Sequence, residues 1–427
     1  MILIYRILSN ILYPFILIFV FYRKIIKKED PIRYKEKILT SHFKATDKQN
    51  SKLVWFHAAS IGELKSIIPI INQLNLNHHK LKFLITTSTL SSGNIAKEEL
   101  EKINNVEHRY FPYDISFLIN KFFKLWSPDV IFLVDSEIWP NLILNAKKYE
   151  IPISLINARL TLKSYKRWMR FPKTAKKLLN VFDLFICSNS ETKTYLEKLG
   201  LKNIYFKGNI KLAEFTNEQK IKNINEKFFN RRNFWLAAST HKEEDIFCLK
   251  THLKLKEKFN DIITLIAPRH VERTREIYSL SEKFNLKAQI LNQNENILDN
   301  KEIIIINYFG ALKSYFKYTK SVFMGKSMIF KYKNEGGQNP IEAAKLNCKI
   351  YHGPYVSNFR DIYEILAKNN ISTKIDDHNE LSKNLAMDFE RLDDTKVKNK
   401  ISIESLGQKT LHDTMKLVNN FINHEYK

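Results

Sequence analysis

At 427 residues the chain is long for one hydrophobic core, so two domains are expected. An apolar fraction of 44% without an extended low-complexity tract excludes a disordered chain. Lys and Arg total 69 against 45 Asp and Glu, a net charge of +24. That balance suits nucleic acid, an anionic membrane face or a phosphorylated substrate, although Lys-, Ile- and Asn-rich usage also fits a biased genome.

The first residues, MILIYRILSNILYPFILIFVFY, are strongly apolar and are followed at once by Arg23, Lys24, Lys27 and Lys28. A cleavable leader carries its charge before the apolar run and small residues after it, and this segment has neither. Residues 1–24 are therefore expected to be a membrane anchor, marginally spanning or lying in one leaflet. The basic flank places the remaining chain in the cytoplasm.

Beyond the anchor, apolar runs of strand length alternate with helical patterns. Strands are expected at Leu53–Phe56, Lys82–Thr86, His108–Phe111, Val130–Val134, Pro152–Ile156 and Leu184–Cys187. Helices are expected at Leu64–Leu74, Asn94–Lys102, Ile115–Trp126 and Trp139–Lys148. A polar stretch, 214–233, interrupts the series as a connector. Strands then resume at Phe234–Ala237, Ile262–Ile266, Ala288–Leu291, Ile303–Ile306, Ser321–Met324 and Lys349–Tyr351. Such alternation means parallel, doubly wound α/β sheets. The expected organisation is two Rossmann-like domains, 33–213 and 234–405, facing one cleft, with a helix at 406–427 packing across them. That last helix is drawn at about Thr410–His424.

The polar turns after strands carry the chemistry. Glu63, in WFHAASIGEL, sits at a helix start beyond the carboxyl end of a strand, where open α/β sheets hold ligands; an idle helix-dipole acid is the plainer reading. Val134-Asp135-Ser136-Glu137 brings a second carboxylate, Glu137, to the same sheet edge. Ser91-Ser92-Gly93 extends another polar strand-end loop. Arg269, in Pro268-Arg269-His270, projects from a strand end with a fork suited to phosphate. Gly336-Gly337-Gln338-Asn339-Pro340-Ile341-Glu342 offers close backbone approach, a helix start with free N–H groups and an acid for ribose hydroxyls. Arg159 opens a basic stretch with Lys163, Lys166, Arg167, Arg170 and Lys173, interleaved with Tyr165, Trp168 and Phe171, which suits an anionic amphiphile or a solvated face. Lys211 follows Gly208-Asn209-Ile210 near the connector. GxGxxG, the P-loop pattern, HExxH and CxxC are all missing, so no metal site is expected. Cys187, Cys248 and Cys348 are scattered and fit buried thiols in a reducing compartment.

Taken in order, Arg33-Tyr34-Lys35-Glu36, HAASIGE, TTSTLSSG, DSEIWPN, NARL, GNIK, AASTHKEED, APRHVER, GGQNPIEAA and HGPYVSNF resemble the Kdo (3-deoxy-D-manno-octulosonic acid) transferases of Gram-negative lipopolysaccharide inner-core synthesis. The resemblance covers nearly all of the chain beyond the anchor. It implies a two-domain glycosyltransferase of the B fold (GT-B) at the inner membrane, moving Kdo from CMP-Kdo to the tetraacyl disaccharide bisphosphate lipid A precursor with inversion. It implies no cofactor beyond the donor substrate, and no nucleic acid partner. By motif position Glu63 is implied as general base, and Glu137 and Lys211 as transition-state stabilisers. Pro268, Arg269, Phe309, Gly310, Ala311, Asn339, Pro340, Ile341 and Glu342 are implied CMP contacts. Ser60, Arg159 and Lys163 are candidate acceptor contacts. The chain departs from the family with Gln338 for His, Lys326 for Gly, Asp135 for Glu, and Asn307-Tyr308-Phe309-Gly310-Ala311 for D-T-x-G-E. A B-fold transferase using another nucleotide sugar, and a non-catalytic basic membrane-surface protein, are the alternatives.

Overall fold

The computed structural model describes residues 1–45, 51–101, 103–214, 221–390 and 394–423, with 394–402 as backbone alone. The chain forms two compact units, Met1–Glu214 with Gly407–Lys427, and Phe215–Leu406. The connector drawn at 214–233 includes 215–220, outside the described residues.

The first unit holds seven parallel strands: β1 (Lys52–His57), β2 (Leu81–Thr87), β3 (Val106–Tyr110), β4 (Val130–Val134), β5 (Ile153–Ala158), β6 (Leu184–Cys187) and β7 (Ile204–Phe206). Their order is β3-β2-β1-β4-β5-β6-β7. Helices cover both faces, so the central strands read as unbroken apolar runs; all five residues of β4 are buried. Within the core Phe56 stacks on Phe132 with centroids 4.9 Å apart, and each such ring contributes roughly 1.5–3 kcal/mol through burial. The chain leaves β1 toward β2 and β3, then returns to place β4 on β1's other side. The carboxyl ends of β1 and β4 therefore form the topological switch point.

The second unit repeats the plan with β8 (Phe234–Thr240), β9 (Ile263–Pro268), β10 (Ala288–Leu291), β11 (Ile303–Ile306), β12 (Ser321–Met324), β13 (Lys349–His352) and β14 (Ser372–Lys374). The order is β10-β11-β9-β8-β12-β13-β14, again all parallel, with its switch point between β8 and β12. The edge strands β7 and β14 were not expected, because three residues without full burial leave no apolar run to read.

Other differences have local causes. The helix expected from Asn94 begins at Leu90, so Ser91, Ser92 and Gly93 are helical rather than loop. Thr89 and Ser92 cap it reciprocally, and Gly93 is required because a Cβ would lie 2.1 Å from the Tyr110 hydroxyl. The closing helix runs Asp394–Ile422, well before Thr410, because its Lys- and Asn-rich opening has no apolar stripe to announce it. His424, its expected end, lies outside the described residues. From Gly407 onward this helix belongs to the first unit, where Phe421 meets Phe132 edge-on at 5.5 Å.

The apolar N-terminus folds as two helices, Ile2–Ile11 and Tyr13–Ile25, bent by 57°. Pro14, with no N–H to give, sits at the break. No single helix among the described residues is long and apolar enough to cross a membrane. Tyr13 donates to the Ile38 carbonyl at 2.8 Å and Val20 is buried, while Leu3, Ile7, Leu8, Phe15, Ile18 and Phe19 are exposed.

Candidate active site

Glu63 stands in the first turn of helix Ile61–Asn77, which Ser60 caps. Its Oε2 accepts from the Ala59 N–H at 2.8 Å and its Oε1 from the Ser60 hydroxyl at 2.8 Å. Burial raises its carboxyl above the usual range, and the charges of Glu137 and Asp135 add to this, while the Ser60 and Ala59 bonds pull the other way. The result is a half-buried carboxylate with raised proton affinity at a switch point. Ser60, a candidate acceptor contact, is thus committed to orienting Glu63.

Glu137 follows β4. Its Oε2 accepts from the Trp139 indole N–H at 2.6 Å, with His57 Nε2 at 3.4 Å. His57 is fully buried at the end of β1, its Nδ1 2.9 Å from the Thr86 hydroxyl. Asp135 adopts a left-handed conformation, φ 63°, and pairs with Lys211 Nζ at 2.9 Å. Lys211 is held in turn by its neighbours: Asn209 Oδ1 accepts its N–H at 3.0 Å, and Asn157 Oδ1 accepts the Ile210 N–H at 3.1 Å. The NARL and GNIK motifs therefore meet. The Arg159 N–H donates to the Asp135 carbonyl at 3.1 Å, which sets that residue beside the cluster. Lys163 is exposed on helix Leu162–Met169. Of the interleaved aromatics, Tyr165 stacks on Tyr195 at 4.4 Å and Trp168 packs against the core, leaving Phe171 as the outward ring.

Sequence reasoning did not assign Asp135, His57 or Trp139 a role. Asp135 and Trp139 were signalled by their place within DSEIWPN, and His57 by opening HAASIGE. The Arg33–Glu36 motif lies elsewhere. Arg33 pairs with Glu36 at 2.8 Å, and Glu36 accepts the Tyr110 N–H at 2.9 Å, fixing the end of β3.

In the second unit Glu244 occupies the first turn of helix Glu244–Lys256, after β8. It is fully buried and accepts four backbone N–H groups, from His241, Lys326, Ser327 and Met328, at 2.7–3.1 Å. It thereby ties the β8 and β12 loops together and consumes their donors. Lys326, at φ 56°, takes there a conformation that glycine adopts more easily.

Pro268 ends β9 and Arg269 follows it exposed, its N–H donating to the Thr240 carbonyl at 3.0 Å. Arg273 instead pairs with Asp245 and, at 3.2 Å, with Glu276. Burial first, then Lys326, His270, Arg273 and Arg269, lower His241 to about 4. Three cationic side chains thus act on His241 at this switch point, one of which, Arg273, is already paired with Asp245. Phe309 and Gly310 are exposed, Gly310 at φ 79°, while Ala311 is buried. Pro340 is the N-cap of helix Ile341–Lys345, and Asn339 Oδ1 accepts the Ile341 N–H at 3.1 Å. Asn339 and Glu342 are exposed. Gly336 serves internal packing, since a Cβ would lie 2.2 Å from the Tyr355 carbonyl oxygen. Gln338 reaches His241 at 3.2 Å. Among the described residues no group of three or more His, Cys, Asp or Glu is placed to hold a metal ion.

Residues 33–214 match the family model described as 3-deoxy-D-manno-octulosonic-acid transferase (Kdo transferase). A 3-deoxy-D-manno-octulosonic acid transferase of Rickettsia prowazekii is 30% identical over 76% of this chain and 69% of its own. One from Rickettsia bellii is 28% identical over 98% of this chain and 99% of its own. Among solved structures, a glycosyltransferase from Rickettsia africae superposes with a TM-score of 0.58 at 12% identity, over 87% of this chain and 99% of that one. A UDP-GlcNAc 2-epimerase from Neisseria meningitidis gives 0.57 at 12% identity, over 86% and 100%. These likenesses and the paired parallel sheets establish the GT-B fold. The extent of the sequence match goes further: the chain belongs to the 3-deoxy-D-manno-octulosonic acid transferase family.

Proposed function

We propose that the protein transfers Kdo from CMP-Kdo to the acylated disaccharide bisphosphate precursor of lipid A, with inversion. Glu63 takes the proton from the acceptor hydroxyl. The hydroxyl oxygen then bonds the anomeric carbon of Kdo, the anomeric carbon–oxygen bond to phosphate breaks, and CMP leaves with the electron pair. The observation that carries this reading is a contrast of charge. At the first switch point burial, reinforced by neighbouring carboxylates, raises Glu63's proton affinity, and at the second burial, reinforced by neighbouring cations, lowers His241's. A base with raised affinity is matched to proton transfer near neutrality, worth roughly two to four orders of magnitude in rate. A cationic strand end suits the departing nucleotide phosphate.

In this reading Glu137 and Lys211 stabilise the charge shift, Lys211 through an ammonium oriented by Asp135. Arg269 meets phosphate with its exposed fork, and Pro268, Phe309–Ala311 and Asn339–Glu342 complete the nucleotide site. The cations supply the charge neutralisation, so no metal or further cofactor is invoked. Arg159, Lys163 and the exposed bases beyond them receive the acceptor's phosphates, while the apolar helices hold the protein to the cytoplasmic face of the inner membrane.

The test is to incubate full-length protein with lipid A precursor and each of CMP-Kdo, UDP-sugars and GDP-sugars, and weigh the lipid. A mass gain of Kdo from CMP-Kdo alone is expected. Unchanged precursor beside an active control enzyme would sink the reading, and gain from another donor would redirect it.

A further inference from the structure

Helix Pro140–Lys148, which follows Glu137, begins without a side-chain cap of its own. Pro140 has no N–H, and the next two N–H groups are met from outside the helix. Asn141 N–H donates to Asp114 Oδ2 at 2.9 Å and Leu142 N–H to Asp114 Oδ1 at 2.9 Å. The Asn141 amide adds a bond to the Asp114 carbonyl at 2.6 Å. Asp114 is only 6% exposed. Trp139, at the N-cap, is the residue whose indole holds Glu137.

Another donor to Asp114 comes from the N-terminal apolar helix. The Tyr5 hydroxyl donates to Asp114 Oδ2 at 2.9 Å. On the same helix Arg6 donates to the Ser116 hydroxyl at 2.9 Å, and Ser9 Oγ accepts from the Asn141 amide at 3.5 Å. Leu3, Ile4, Ile7, Leu8 and Ile11 of this helix are exposed. Burial pushes the Asp114 carboxyl up to about 6 even with these donors in place, so each one counts toward keeping it ionised.

A helix that only anchored the protein would need its leucines and isoleucines but not these polar contacts. We infer that Asp114 is a positioning residue that couples the N-terminal helix to Glu137. With the helix seated on a lipid surface, Tyr5 holds Asp114, Asp114 holds the start of helix Pro140–Lys148, and Trp139 holds Glu137 in the orientation that transfer needs. The inference rests on the role of Glu137 in Kdo transfer proposed above.

The experiment compares full-length wild type, Tyr5→Phe, Asp114→Asn and an exposed-face control, Ile7→Ser with Leu8→Ser. Kdo transfer is measured at saturating lipid A precursor in detergent micelles and as a function of precursor in anionic vesicles. Vesicle cosedimentation and thermal melting accompany the kinetics. Tyr5→Phe is expected to lower kcat roughly three- to tenfold in both settings, the size of one lost hydrogen bond to a charged group, with vesicle binding unchanged and the melting midpoint lower by only a few degrees. Asp114→Asn is expected to lower kcat further. The exposed-face pair is expected to weaken vesicle cosedimentation and raise KM on vesicles, the reverse of the Tyr5→Phe pattern. Tyr5→Phe with wild-type kcat, or with a change in KM only, overturns the coupling even if Asp114→Asn does not fold. Wild type that makes no product overturns the functional reading and the coupling with it.

Discussion

In each unit the first helix after the first strand carries a glutamate in its first turn, and the two glutamates serve opposite ends. Glu63 is half-buried, and among the described residues its carboxylate accepts hydrogen bonds from its own loop, Ala59 and Ser60. Glu244 is enclosed, accepting four N–H groups from two loops. Burial raises both carboxyls. The difference lies in the neighbours: Glu63 has acids nearby, and Glu244 has donors that use up its lone pairs. One topology thus produces a partly exposed carboxylate among acids and an enclosed one among donors, and position in the fold does not by itself distinguish them.

The comparison can be broken most directly at Glu63. Glu63→Gln is expected to lower kcat by about two to four orders of magnitude. Its folded carboxyl is raised, so its favourable contribution to stability exists at low pH and is lost as pH rises through the folded value. At neutral pH the substitution should therefore leave the melting midpoint unchanged or higher. A fall in the midpoint matching the loss of turnover would make Glu63 structural. Glu244→Ala should do the reverse. Leaving its N–H groups without an acceptor costs roughly 3 kcal/mol or more, on the order of 10 °C in a melting scan. A soluble variant with wild-type stability would refute that assignment.

A finer probe is Arg269→Lys, which keeps the charge and removes the fork. Its KM for CMP-Kdo should rise roughly tenfold with kcat less affected. An equal fall in kcat and kcat/KM would place Arg269 at the reacting centre instead. The smallest effect is a shift along the pH axis. The base must be ionised, so kcat/KM should fall as pH drops through Glu63's raised value. Glu137→Gln removes a neighbouring negative charge, so that acid limb should move to lower pH in whatever activity remains. A limb that stays in place would mean another group sets it.

Much of this was legible in the chain. Runs such as Val130–Val134 and Ile303–Ile306 are buried on both faces, and continuous apolarity reports that directly. The ordered motifs identified the family because most of them mark a strand end, where backbone geometry and chemistry coincide. Their mutual contacts were not legible. Nothing local ties Asn157 to Ile210, Lys211 to Asp135, or Tyr5 to Asp114, residues far apart in the chain that strand order brings together.

The glycine pair shows the same divide. Gly336 and Gly337 read as a loop built for close approach, and the approach is real, but the partners are the backbone at Tyr355 and Val356. Sequence alone determined the alternating α/β plan, the apolar N-terminus and the acids and bases at strand ends, because these follow from periodicity and from side-chain chemistry. Only the tertiary structure decided which glutamate is enclosed and which stays partly exposed, which lysine pairs with Asp135, and where the apolar segment bends. Those outcomes depend on desolvation and on neighbours supplied by distant segments, and no local pattern encodes them.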